Sequence, residues 1–483
     1  NYEICLILVD SFGESILAEL KNDSKTRSVK MTIVHIDNSQ NSSIADEKIM
    51  SSVSGEYCAF INAGDILAVT ALFEIAKHLN SFPKTDIVYT NEEKKSDHSL
   101  SLSSKPYWSP DTLLSYNYIE DLTIFRTRLV IENDAFHYPF EETEKYDLLL
   151  RLTEKTSSIS HIPKVLFRKQ NTKSLKETSE YKYISEKEAI ISSALMRRGE
   201  ESQIMFYKEE EHLTNRILYK TGENKKVSII IPTKDSLSLI KQCIESIFDQ
   251  STYSNYEVII IDNNSVEKDF LEYMVVCKEK YSDRFFCYPY KKSFNFSAIN
   301  NFGVTKSNGE YIILLNNDTK VISPDWIESL MQQAQRKSIG VVGALLLYPD
   351  GSIQHAGIDF DIHGLPFHIY AGEEKESVNY AANFPALTAA CIMFRKELHT
   401  KVMGLDEMLA VEFNDVDFCL KIKKAGYHNI FLPYVELYHY ESFSRGSSHS
   451  TAEKYETHLK EKNIFISRWS DYIKEMIRLY NND

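Results

Sequence analysis

The chain has 483 residues, 43% of them hydrophobic and 26% charged, which argues for two to four domains and excludes both a small stapled module and wholesale disorder. Acidic residues outnumber basic ones by 69 to 55, a formal net charge of −14, and with no basic stripe in the sequence no nucleic-acid partner is expected. Seven scattered cysteines without a CxxC pair read as reduced core thiols of a cytoplasmic chain, and no apolar run approaches the ~18 residues of a membrane span.

Short apolar runs alternate with helical patterns throughout, the signature of βαβ units around a mainly parallel sheet. In the first half, strands are expected at Ile4 to Val9, Met31 to Ile36 and Tyr57 to Ile61, a helix across Ala71 to Leu79, and a strand at Asp86 to Tyr89. A helix over about Tyr183 to Arg198, stopped by Gly199, connects the halves. After it, Val227 to Thr233 reads as a buried strand, and the next helix carries Ile240, Cys243, Ile244 and Ile247 at helical spacing. Tyr256 to Asp262, Gly309 to Leu315 and Gly340 to Leu347 are further strands. Ser323-Pro-Asp-Trp326 suits a helix start, with proline in its first turn.

The halves echo one another. His35-Ile-Asp-Asn38 matches Ile261-Asp-Asn263, Phe60-Ile-Asn-Ala-Gly64 matches Leu314-Leu-Asn-Asn-Asp318, and Tyr146-Asp-Leu-Leu-Leu-Arg-Leu152 matches Val416-Asp-Phe-Cys-Leu-Lys-Ile422. Three echoes in one order predict a duplicated domain.

In open parallel sheets, ligands gather at the carboxyl ends of strands. Asp262 ends one strand here and Asn316-Asn-Asp318 follows another. Such carboxylates can accept from a nucleoside or hold Mg²⁺ or Mn²⁺ beside phosphates, although turn formation accounts for either position taken singly. In Glu412 to Tyr427, Asn414 is the expected N-cap and Asp417 its reciprocal partner three residues on. Asp415 points away from Asp417, and the helix dipole favours its ionised form, as a general base requires; a dipole-stabilised acid with no other task fits equally well. His439 ends the extended run from Pro433 and Arg445 follows it, candidates for a metal and a phosphate contact.

Taken in order, VSIIIPTKD (227–235), VIIIDNNS (258–265), NFSAINNFGV (295–304), GEYIILLNND (309–318), YPDGSIQHAG (348–357), LTAAC (387–391), FNDVDFCLKIKKAGY (413–427) and LYHYESFSRG (437–446) resemble the bacterial family 2 glycosyltransferases of the polysaccharide and O-antigen, rhamnosyltransferase-like type. The resemblance implies an α/β fold of two tandem GT-A-like domains, with residues 1–220 a degenerate copy, 221–450 the catalytic domain and 451–483 a helical tail. It implies nucleotide-sugar contacts from Pro232, Thr233, Asp235, Asp262, Asn264, Asn301, Asn316, Asn317 and Arg445, with Asn301 near the diphosphate. Asp318 and His439 would then be the ligands of Mn²⁺ or Mg²⁺, and Asp415 the base of an inverting transfer. Asn316 departs from the first acid of the DxD motif and Asn414 from the Glu common before the base. A UDP- or dTDP-sugar donor, transfer of a hexosyl or deoxyhexosyl group, and a glycan, lipid-linked or protein-linked saccharide acceptor are implied, with peripheral contact at the inner face of the membrane if the acceptor is a lipid.

The first half keeps INAGD (61–65), PYWSPDTLLSYNYI (106–119), KYDLLLRL (145–152) and HIPKVLF (161–167) as relics. Aligning the repeats sets Lys145 at the place of Asp415, Gly64 at that of Asp318 (Asp65 if the shift is off by one), and Arg168 or Lys169 at that of His439. A lysine cannot be a carboxylate base and a cation cannot ligate a metal, so this half is expected to be non-catalytic. Structural support, acceptor binding and a homodimer surface are the roles open to it. A nucleotidyltransferase would need a basic or glycine-rich triphosphate loop that Pro232-Thr-Lys-Asp-Ser236 is not. The remaining alternative is a carbohydrate-binding pseudoenzyme or scaffold.

Overall fold

The computed structural model describes residues 2–9, 30–36, 42–95, 100–137, 142–170, 180–209, 212–222, 224–440 and 451–478. The chain falls into two compact units, one of Asn1–Trp108, Asn117–Gly199 and Arg478–Asp483, the other of Ser109–Tyr116 and Glu200–Ile477.

In chain order the first half supplies β1 (Glu3–Val9), β2 (Lys30–Ile36), α1 (Ser42–Ser51), β3 (Tyr57–Ala59), β4 (Ile66–Leu67), α2 (Ala71–Ser81), β5 (Ile87–Lys95), β6 (Leu100–Ser103), α3 (Pro110–Ser115), β7 (Thr123–Arg126), α4 (Thr127–Glu132), α5 (Glu142–Thr153), β8 (Ile159–Lys169) and α6 (Glu180–Arg197). Of these, α3 belongs to the second unit. β1 and β2 form a parallel pair, and a six-stranded sheet runs β3-β7-β5-β8-β4 with β6 on β5. Its parallel character is confined to β5 and β8.

The second half supplies β9 (Ser202–Glu209), β10 (His212–Tyr219), β11 (Val227–Thr233), α7 (Leu237–Gln250), β12 (Tyr256–Asp262), α8 (Lys268–Tyr281), β13 (Phe285–Pro289), α9 (Phe296–Lys306), β14 (Tyr311–Leu315), β15 (Thr319–Val321), α10 (Trp326–Ala334), β16 (Ile339–Leu347), β17 (Ile353–His355), β18 (Ile358–Phe360), β19 (Pro366–His368), β20 (Ala382–Phe384), β21 (Cys391–Arg395), α11 (Lys396–Lys401), α12 (Asn414–Lys424), β22 (His428–His439) and α13 (Ala452–Arg478). Its ten-stranded sheet runs β13-β12-β11-β14-β21-β16-β22-β15, with β17 on β16 and β20 on β22. The first four strands are mutually parallel, and the sheet is mixed from β21 onward. Ile229 to Ile231 and Val258 to Ile261 are buried without alternation, as strands covered by helices on both faces must be. Ile240, Cys243, Ile244 and Ile247 of α7 pack into the same core.

The duplication is visible in the pairing. The first unit's order β3-β7-β5-β8-β4 repeats β14-β21-β16-β22-β15 of the second, with every neighbouring pair in the same relative direction. Register then refines the alignment, because Thr319 pairs with His439 and Ile66 with Arg168. Asp65, rather than Gly64, is therefore the counterpart of Asp318, and Arg168 that of His439.

The units divide at Gly199 and Glu200 rather than near residue 220, so the β9–β10 hairpin belongs to the second unit, as does α13 up to Ile477, which is part of that body rather than a separate tail. Arg336 explains why the hairpin and α3 pack there. Its buried guanidinium binds Asp111 of α3 at 2.6 Å, Glu200 at 2.9 Å and Gln333 at 2.9 Å, and stacks over Tyr219 of β10. Asn383 of β20 donates to the second oxygen of Asp111 at 2.7 Å.

Candidate active site

The parallel strands bring Thr233, Asp262 and Asn317 to one carboxyl-end edge. Thr233 and Asp262 are in register, Asn263 N donates to Thr233 O at 2.8 Å, and Asn317 Nδ2 donates to Thr233 Oγ1 at 2.9 Å. The loops around them are shaped by short side chains in left-handed backbone, Asp235 at φ 49° and Asn264 at φ 63°, residue types that tolerate this region. Asp262 Oδ1 accepts from Ser265 N at 2.9 Å, and Asp235 Oδ1 accepts from Val266 N and Glu267 N at 2.7 and 2.9 Å. Asn264 donates to Lys292 O at 3.0 Å. One oxygen of each carboxylate thus fixes the loop that follows β12. Pro232 lies in β11 opposite Ile261.

Asp318 and His439 meet where β15 leaves β14. His439 Nε2 is 3.2 Å from Asp318 Oδ1 and 3.3 Å from Asn316 Nδ2, and both residues of the pair are buried. His439 Nδ1 lies 2.9 Å from Gln354 Oε1. That oxygen only accepts, so Nδ1 carries a proton; in the tautomer protonated on Nδ1 alone, Nε2 presents a lone pair between the carboxylate and the Asn316 amide donor. Asp318 Oδ1, within ion-pair distance, takes no hydrogen bond. A buried carboxylate oxygen beside an imidazole nitrogen that is free of its proton in that tautomer is a donor set that fits a divalent cation. Among the described residues no further His, Cys, Asp or Glu joins them to make a set of three.

Asp415 is the second residue of α12. Its Oδ2 accepts from Ala389 N at 3.1 Å and its Oδ1 from Val416 N at 2.8 Å, so the 387–391 segment holds it at the mouth of the helix. The helix is not capped by Asn414 and Asp417 as expected. The N-cap position is Phe413, in left-handed backbone at φ 60° and without a side-chain cap, and Asn414 is inside the helix. Asp417, fully buried, accepts from Arg468 Nη1 at 2.5 Å and Trp469 Nε1 at 2.9 Å and lies 3.1 Å from Lys421 Nζ. Charge-assisted partners win because a buried carboxylate needs them more than the helix needs one cap.

Asn301 is not brought to the site. Its Nδ2 donates to Leu405 O at 2.9 Å and to Glu407 Oε1 at 3.4 Å, and its Oδ1 faces Leu405 N and His399 Nε2, each at 3.0 Å. All four bonds of the amide are engaged in clamping the segment before α12, leaving none for a diphosphate. Arg445 lies outside the described residues.

His355 stands in the YPDGSIQHAG motif, where the sequence alone gives no sign of its role. It is buried, with Nδ1 3.0 Å from His368 Nδ1, and Thr388 N donates to its Nε2 at 3.4 Å. Burial, followed by the nearby His368 and His439, holds its pKa well below the usual imidazole value. The adjacent amides of Thr388 and Ala389 therefore tie His355 and Asp415 to one strand entry.

The corresponding place in the first unit is filled by ion pairs. Asp121, two residues before β7 as Ala389 is before β21, lies 3.4 Å from Lys145 Nζ and 3.0 Å from Lys169 Nζ. Burial raises the Asp121 pKa, but the two lysines outweigh it and hold the carboxyl below its usual value. Asp147 pairs with Arg151 at 2.7 Å, as Asp417 does with Lys421 one turn on, which sets Lys145 at the position of Asp415. Asp65 accepts from Gln170 N at 3.2 Å and Asn62 N at 3.3 Å.

Residues 228–403 match the model of glycosyl transferase family 2. They form a family 2 glycosyltransferase domain. Asp415 and His439 lie beyond the matched stretch, so their roles rest on the geometry above. A Sinorhizobium fredii protein of uncharacterised function is 34% identical over 485 residues, covering 98% of this chain and 53% of its own length. The O-antigen biosynthesis protein RfbC of Myxococcus xanthus is 27% identical over 452 residues, 91% of this chain and 35% of the relative. An N-acetylglucosaminyl-diphospho-decaprenol L-rhamnosyltransferase of Mycobacterium tuberculosis is 27% identical over 177 residues, 33% of this chain and 55% of the relative. The chain thus spans about half the length, or less, of these relatives. The first two alignments cover nearly the whole of this chain and so run through both units. No helix among the described residues is long and apolar enough to cross a membrane.

Proposed function

We propose that the second unit transfers a sugar from a nucleoside-diphosphate donor to a saccharide acceptor with inversion, and that it serves bacterial surface polysaccharide or glycoconjugate synthesis, as the O-antigen relative's name suggests. The observation that carries the reading is the buried Asp318–His439 pair, a carboxylate oxygen without a hydrogen bond 3.2 Å from an imidazole nitrogen. Thr233, Asp262 and Asn317 line the edge that would take the nucleoside. Asp318 and His439 would hold Mn²⁺ or Mg²⁺, which when bound neutralises the diphosphate leaving group. Asp415 accepts the proton of the acceptor hydroxyl as its oxygen bonds to the anomeric carbon and the bond from that carbon to the phosphate oxygen breaks. A single displacement inverts the configuration. The first unit is read as non-catalytic, since Lys145 and Arg168 replace the base and the histidine.

Thermal unfolding with UDP, dTDP, GDP and CMP, each with and without Mn²⁺, tests the reading. One diphosphate is expected to stabilise the wild type only with Mn²⁺, by about 2.7 kcal/mol at a hundredfold excess over Kd. Asp318→Ala should lose that shift, whereas Asp65→Ala in the first unit should keep it. No shift with any nucleotide would replace this reading with a carbohydrate-binding pseudoenzyme.

A further inference from the structure

Three consecutive backbone amides just before α12 converge on one side chain of α13. Glu461, almost wholly buried, accepts from Ala410 N at 3.0 Å, from Val411 N at 3.2 Å to each oxygen, and from Glu412 N at 2.7 Å. Successive N–H groups curled around a carboxylate make an anion nest, and here the anion comes from the chain itself. These amides precede the left-handed turn at Phe413 and the helix whose second residue is Asp415. On its other side the same segment is tied to α9. Phe296 N donates to Ala410 O at 2.7 Å, Ser297 Oγ to Leu409 O at 2.6 Å, and Asn295, the residue capping that helix, to Glu407 O at 2.8 Å.

The rest of α13 reinforces the hold. Phe465 stacks on Phe413 with centroids 5.1 Å apart, His458 Nδ1 is 2.5 Å from Glu412 Oε2, and Arg468 joins Asp406 before the segment to Asp417 after it. Ring, carboxylate and guanidinium from one helix thus reach the start, middle and end of residues 406–417.

We infer that Glu461 is a positioning residue for Asp415, fixing from α13 the backbone that aims the base. The inference rests on the reading of Asp415 above. Glutamine has the same shape, but its NH₂ faces amides that need an acceptor, so Glu461→Gln breaks the nest without emptying the space. Aspartate keeps the charge on a shorter stem and should restore part of the effect.

The test is hydrogen exchange and turnover on the full chain. In Glu461→Gln the amides of residues 405–417 are expected to exchange at least tenfold faster, with β11, β12 and β14 unchanged. The kcat should fall at least tenfold with donor KM within twofold, and Glu461→Asp should recover part of both. A folded Glu461→Gln with unchanged exchange at 405–417, or with faster exchange and full kcat, overturns the inference. If the glutamine variant does not fold, Arg468→Gln is expected to loosen the same peptide, and unchanged exchange there counts equally against it. A wild type without nucleotide binding or turnover overturns the proposed function instead. The exchange result then still decides whether Glu461 holds the segment.

Discussion

Asp415→Asn is expected to lower kcat by about 10²–10⁴-fold, the usual contribution of a positioned general base, while leaving the Mn²⁺-dependent nucleotide shift of the wild type intact. The one side-chain oxygen of asparagine can still accept from Ala389 N, the bond that now holds Asp415 at 3.1 Å, so the tie to the 387–391 segment is kept, while the bond from Val416 N to the other oxygen is lost together with the proton acceptor. Steady-state rates with the donor identified by thermal shift would check this. Turnover within tenfold of the wild type would remove Asp415 from the role of base, and Glu412, three residues earlier, would be the next carboxylate to test.

The second large effect concerns stability. Arg336→Ala is expected to cost about 3–5 kcal/mol, because removing one partner of a buried ion pair strands the other. Asp111 and Arg336 have side chains only 5% and 6% exposed, and Glu200 and Tyr219 lose a partner at the same time. The effect should depend on pH in one direction. Burial raises the Asp111 pKa, but Arg336 and Asn383 outweigh it and hold the carboxyl below its usual value. A carboxyl depressed in the folded state contributes stability that is fully present above the unfolded pKa of about 3.9 and is lost as pH falls through the folded value. Urea unfolding should therefore separate wild type and variant most widely near pH 7, with the gap narrowing below about pH 4. A gap under 1 kcal/mol at pH 7 would mean that α3 is held chiefly by other contacts.

The parallel strands and the α7 helix were legible because continuous apolar runs and a helical stripe such as Ile240, Cys243, Ile244 and Ile247 have one simple burial solution. The short antiparallel strands from β15 to β21 were not, since three-residue segments such as Ile353–His355 and Ala382–Phe384 carry too little periodicity. In the site, Asp318, Asp415 and His439 stood out by motif order, and the fold gives them the surroundings described above. Asn301 misled because a polar residue on a helix looks the same whether it faces a ligand or clamps a neighbouring loop. Asp417 misled in a related way. Its i,i+3 spacing from Asn414 satisfied a local capping rule, while Arg468 and Trp469, about fifty residues on, supplied a stronger and non-local partner. Glu461 was invisible for the same reason, because its partners are backbone amides and those have no letter in a sequence.

The interleaved connectivity bears on how this protein can be dissected. A fragment starting at residue 221 contains the whole family match yet omits Ser109–Tyr116 and the β9–β10 hairpin, and it leaves Arg336 as a buried cation without Asp111 or Glu200. Inactivity of such a fragment would report misfolding rather than a catalytic contribution from the first unit. During synthesis the second unit cannot finish packing on residues made after 221 alone; it must wait with α3, emitted more than a hundred residues earlier, still free to join it. Duplication therefore produced two bodies that can be told apart by topology but not cut apart at a single peptide bond.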